Sequence, residues 1–304
     1  MAVPPLAAPS DNGNVAASAA PLQHVSAPPR WQPPGTGHGL RLDILILKLV
    51  ATPLLIGVAS LAGRRWGETI SGWFIGLPLT SGPVCFFLAV EQGTGFAAAA
   101  ARGCLAGAAA EAGFCLAYAV AAQTGGWPSA ISAATIAFTV AAAAMQLTAP
   151  PLWLLAAIVY LALLLALRLM PRLATGRAQL PTPPRWDLPA RMIVATVLVF
   201  ALTELAPVFG ARLSGLLATY PLFGAVLAAF AHHLSGAAAA GRVLRGLLIG
   251  LFGFTGFFLL LALTIERVGI AAAFAAATAL ALAIQGGSLW ALRRLRPEVT
   301  PLRR

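Results

Sequence analysis

The sequence predicts an all-α fold: a polytopic bundle of about nine transmembrane helices, built from two inverted-topology four-span repeats and one linking span. Three observations carry this. Of 304 residues, 59% are hydrophobic and 10% charged, with a mean hydropathy of +0.85, far from the balance of a soluble domain. Apolar runs of about 20 residues, the length that crosses ~30 Å of hydrocarbon as a helix, recur nine times between charged or Gly/Pro-rich breaks. The stretch "SGWFIGLPLT" at Ser71 also returns 143 positions later as "SGLLATYPLF" at Ser214.

Residues 1–40 hold eight prolines among alanine, serine and glycine, with no apolar period able to bury a core, and read as a disordered tail. The tail has neither the basic n-region nor the apolar h-region of a signal peptide, so the first span is expected to be the targeting signal. Four spans follow at about 43–62, 70–90, 102–122 and 129–148, forming repeat 1 (41–148). A linking span occupies 151–170, within 149–170, and an Arg/Pro-rich cytoplasmic loop covers 171–188. Repeat 2 (189–292) carries spans at about 189–207, 213–233, 243–264 and 269–291, and a basic tail covers 293–304.

The arginines orient the bundle. With nine spans, fourteen fall on one side and five (Arg30, Arg41, Arg102, Arg212 and Arg267) on the other, which puts the C-terminus in the cytoplasm and the N-terminus outside. The net charge of +11 is thereby read as a membrane asymmetry, not a nucleic-acid surface. Six of seven tryptophans lie near a predicted span end, where aromatic belts sit. Cys85, Cys104 and Cys115 lie in apolar runs without CxxC spacing and read as small buried hydrophobes, not as a disulfide framework or zinc site.

The repeat is more than a shared motif. Over 67–119, 16 of 53 residues equal the residue 143 positions on, including Gly72 with Gly215, Pro78 with Pro221, Gly93 with Gly236, and Arg102 with Arg245. Alanine bias does not explain matches made largely of Gly, Pro and Arg. Five spans separate equivalent helices, so the second copy enters the membrane inverted, the plan of many secondary transporters.

The second copy, "RLSGLLATYPLFGAVLAAFAHHLSG" followed by "RVLRGLLIGLFGFTGFFLL", resembles the GlpM-like family of small bacterial inner-membrane proteins. The resemblance rests on Gly215, Pro221, Phe223, His232 or His233, Gly236, Arg245 and Gly246; the first copy keeps Gly72, Pro78, Gly93, Arg102 and Gly103 but has Thr80 and no histidine. It implies a fused, internally duplicated pair of four-span units in a bacterial cytoplasmic membrane. The family brings no catalytic residues.

Gly/Pro-interrupted spans at corresponding positions point to a binding site in such folds, which selects Ser71, Gly72 and Pro78 with Ser214, Gly215 and Pro221 as substrate or pathway lining. A proline removes a helix donor and frees a carbonyl; a plain packing kink is the competing reading. Glu111 sits in the middle of span three, where an ionised carboxylate costs about 3 kcal/mol. It reads either as a proton-coupling carboxylate or as a protonated or hydrogen-bonded packing residue. Lys48 and its mate Arg191 are further intramembrane charges, able to bind an anion, pair with Glu111 or Glu204, or snorkel to headgroups. Arg102 and Arg245 open spans three and eight, as helix caps, lipid-phosphate ligands or interfacial anchors.

Adjacent His232 and His233 point about 100° apart on a helix and chelate poorly, so no metal is expected. The stripe Gly103, Gly107 with Gly246, Gly250, Gly253 and Gly256 permits close packing, either within the bundle or in a homodimer. No Walker A loop, HExxH, GxSxG or CxxC is present, so no enzyme, ATP-driven pump or cofactor is expected. Two functional readings stay open: a proton-coupled secondary transporter or permease of a small solute or ion, and a membrane accessory protein acting through a partner.

Overall fold

The computed structural model of the chain describes residues 77–171 and 186–294, together with five positions between 46 and 54. The N-terminal tail, Lys48, Ser71, Gly72, most of the 171–188 loop and the residues after 294 lie outside the described residues.

All described secondary structure is helical. In chain order the helices are α1 (Ser81–Gln92), α2 (Thr94–Ala121), α3 (Trp127–Thr148), α4 (Leu152–Leu169), α5 (Asp187–Phe209), α6 (Ala211–Leu217), α7 (Leu222–Ser235), α8 (Ala237–Val268) and α9 (Ile270–Arg294). Among the described residues α2, α3, α4, α8 and, over Ile270–Ser288, α9 are long and apolar enough to cross a membrane. The chain is a membrane protein.

Burial sorts these helices into a centre and an outer layer. In α2 and α8, 72% and 67% of the apolar stretch is buried, against 22% in α3, α4 and α9. The sequence of α2 explains its place. It is alanine and glycine around nearly its whole circumference, and a helix apolar all round with small side chains is one that neighbours can surround closely. The two central helices pack on each other, α3 packs on α2, and α9 on α8. The outer pair each bury one stripe: Ala130, Ala134, Phe138 and Ala142 in α3, and Ala273, Ala277, Ala281 and Gln285 in α9. Four-residue spacing keeps such a stripe on one face, and the two stripes correspond one for one at the 143-residue offset. Trp127, Trp153, Trp186 and Trp290 are exposed near helix ends, where interfacial tryptophans belong.

Single glycines separate α1 from α2 and α7 from α8. Gly93 (φ 90°) and Gly236 (φ 82°) take a left-handed backbone that only glycine adopts without a Cβ penalty. Their N–H groups return to Ala89 O and His232 O, and their carbonyls accept from Ala97 N and Ala240 N. All four partners are again 143 apart in pairs.

Two expectations change here. Spans three and eight were expected to begin at 102 and about 243, yet the helices start directly after the glycines, at Thr94 and Ala237. Alanine runs are the strongest helix formers, and nothing between Gly93 and Arg102 stops them. Arg102 and Arg245 therefore sit inside their helices, exposed, and cap neither. Span seven, expected as one kinked helix over 213–233, is two helices with a non-helical segment, Ala218–Pro221, between them.

Candidate functional site

Pro78 and Pro221 build the same local structure. Leu79 N donates to Leu77 O at 2.7 Å and Leu222 N to Tyr220 O at 2.7 Å, so each proline is the middle residue of a three-residue turn. Gly82 N then donates to Pro78 O at 2.8 Å and Ala225 N to Pro221 O at 2.7 Å, which starts α1 and α7. At Pro221 the backbone (φ −77°, ψ 54°) is the inverse γ conformation that proline's fixed φ favours. The helices that follow, of 12 and 14 residues, span only about 18 and 21 Å, short of the ~30 Å hydrocarbon core.

Beside both turns lies one cavity of about 40 Å³, room for roughly three waters; Pro221 lines it, whereas Pro78 does not and only its neighbours Leu77, Thr80 and Ser81 do. Leu77, Thr80 and Ser81 line it from the start of α1, and Thr219, Tyr220, Pro221 and Gly224 from the break and the start of α7. Glu111 of α2 and Leu251 and Phe254 of α8 close it. Three pairs among these residues are repeat mates: Leu77 with Tyr220, Ser81 with Gly224, and Glu111 with Phe254.

Side-chain bonds hold the walls. Ser81 Oγ donates to Ala218 O at 2.7 Å, Thr219 Oγ1 to Leu216 O at 2.6 Å, and the hydroxyls of Tyr220 and Thr135 lie 3.0 Å apart. The Tyr220 ring is held edge-on by Phe114 and Phe138. Glu111 is 5% exposed and has no hydrogen-bond or ion-pair partner among the described residues.

Other predicted site residues fall elsewhere. Ser214 and Gly215 are buried in the α6–α2 contact and do not line the cavity. A Cβ at Gly215 would collide with the Ala100 carbonyl, and one at Gly103 with the Arg212 carbonyl. The pair thus sets how closely α6 approaches α2, helped by a Cys104 thiol donating to Gly215 O at 3.2 Å. Ser214 Oγ has no hydrogen-bond partner among the described residues. Arg191 lies near the start of α5. The glycine stripe is used inside the bundle, Gly107 against Thr219 and Gly253 against Gln285. The three cysteines are buried and free, with Cys85 Sγ 3.8 Å from Cys104 Sγ.

Half-buried His232 lies 3.4 Å from the Tyr118 hydroxyl while His233 is exposed, and among the described residues no cluster of three metal-ligating side chains exists. Sequence reasoning passed over Thr80, Ser81, Thr219 and Tyr220. The available signal was their adjacency to the two prolines. No family model, curated protein or solved structure matches the chain.

Proposed function

We propose that the chain is a secondary transporter of a small solute in a bacterial cytoplasmic membrane, made of two inverted GlpM-like repeats, with the cavity between the two proline turns as its substrate site and Glu111 as the coupling carboxylate. One observation supports the reading: two matching proline turns, related by the sequence repeat, open α1 and α7 beside one cavity whose wall contains a buried carboxyl with no described partner. Discontinuous helices with their freed backbone groups at a shared cavity are how inverted-repeat transporters build substrate sites, and irregular backbone at membrane depth is tolerated where it lines such a cavity. A buried ionisable side chain in the same wall is the expected means of coupling to protons.

The test compares solutes inside and outside cells producing the wild type or a Pro78→Ala/Pro221→Ala double variant at equal membrane levels. A solute redistributed by the wild type alone supports the reading. Equal solute pools in both strains and in cells lacking the protein would count against it.

A further inference from the structure

We infer that the cavity binds one small monovalent inorganic anion, a halide or an ion of similar size, and that this anion moves together with one proton carried by Glu111. The inference rests on the transporter reading above and names its substrate class.

The donor geometry comes first. The cavity is lined by the first turns of two helices, α1 and α7, so the positive ends of two helix dipoles face it. The N–H groups of Ser81 and Gly224, repeat mates in the cavity wall, have no backbone acceptor among the described residues. Orphan first-turn donors need an acceptor from water or a ligand.

Two of the polar groups in the wall already have partners within the protein. Ala218 O, freed by the helix break, accepts from Ser81, and Thr219 Oγ1 is turned back onto Leu216 O. Among the described residues no Lys, Arg or His lines the cavity. Polyanions such as phosphate are held by charge-assisted, often bidentate, arginine contacts, so this site suits a single charge. Its volume of about 40 Å³ matches a small ion better than a sugar, amino acid or nucleotide.

Glu111 then supplies both the third donor and the coupling. Protonated, its carboxyl donates to the anion. Ionised, it puts a negative charge in the same cavity, and an anion beside it is repelled. Anion and proton therefore bind together or not at all, and a neutral pair crosses the site. The other titratable groups beside Glu111 among the described residues are Tyr220 in the cavity wall and Cys115 one turn along α2; α8 presents Leu251 and Phe254.

The experiment uses the full-length protein in proteoliposomes holding an internal pH dye or a halide-quenched dye, with the membrane potential clamped by potassium and valinomycin. Chloride, bromide and nitrate serve as anions, methylammonium as cation, and urea as neutral solute. An inward chloride gradient is expected to acidify the lumen, and an acid exterior to drive chloride in against its gradient. Glu111→Gln, which keeps a donor but cannot titrate, is expected to pass chloride with loss of acidification. Wild type that accumulates no anion under a pH gradient overturns the proposal without needing any variant to fold. Flux of methylammonium or urea alone overturns the anion class and leaves the transporter reading standing. No protein-dependent flux of any probe, with the protein monodisperse on extraction, overturns both.

Discussion

The hydroxyl of Ser81, the first residue of α1, donates a 2.7 Å hydrogen bond to the carbonyl oxygen of Ala218, the residue at which α6 ends. The start of α1 is thereby fastened to the break between α6 and α7. Both residues are buried and line the cavity. Leaving a buried acceptor unsatisfied costs about 1–3 kcal/mol. Ser81→Ala is expected to lower the thermal unfolding midpoint in detergent accordingly and to slow transport. An unchanged midpoint would mean the bond is dispensable.

The contact between α2 and α6 predicts a sharper contrast. A methyl group at Gly103 or Gly215 meets backbone carbonyls, which cannot rotate away, whereas Gly113 has open space around its missing Cβ. Gly103→Ala and Gly215→Ala should each destabilise by about 1–3 kcal/mol through overpacking. Gly113→Ala should be neutral, or stabilise by up to about 1 kcal/mol through helix propensity. Thermal midpoints of the three single variants decide this, and equal effects at all three positions would refute it.

How much of this was legible in the sequence differs by kind of feature. The Gly/Pro repeat was, because glycine and proline mark backbone requirements that hold wherever the chain goes: Gly93 and Gly236 with their positive φ, Pro78 and Pro221 with their matching turns. Glu111 stood out because a carboxyl amid alanine carries a desolvation cost. The helix starts were not legible, since alanine continues a helix without raising hydropathy as leucine does, and the charge of Arg102 masked eight helical residues before it. The wall residues were hidden for a different reason. A helix break resets rotational phase, so periodicity cannot tell that Ser81 and Tyr220 face the cavity while Ser214 and Gly215 face α2. A serine-glycine pair reads equally well as pathway or as close packing, and only the neighbouring helix decides.

The proposed inversion of the repeats has a direct consequence for Arg102 and Arg245. They are equivalent, exposed positions near the starts of α2 and α8, and inverted copies place them on opposite faces of the membrane. Arg102→Cys should react with a membrane-impermeant maleimide from outside intact cells and Arg245→Cys only after the cytoplasmic face is opened. Native Cys85, Cys104 and Cys115 are buried and should stay silent in both cases. Labelling of both variants from the same side would end the inverted-repeat reading.

Glu111 makes the last prediction, because function and stability pull apart there. A polar group taken from water without a compensating bond costs about 1–3 kcal/mol in proteins, and this one is 5% exposed with no described partner. Replacing it by an apolar side chain of similar length should relieve that cost, and the neighbouring cavity of about 40 Å³ leaves room for the swap. Glu111→Met is therefore expected to raise the thermal midpoint, equivalent to about 1–3 kcal/mol, while abolishing proton-coupled flux, the trade expected of a residue kept for activity. A structural role predicts the opposite sign: if Glu111 anchored the bundle through a bond, removing it would lower the midpoint and flux together. Measuring both quantities on one preparation separates the cases. A destabilised Glu111→Met protein would remove the coupling role and return Glu111 to the packing of α2.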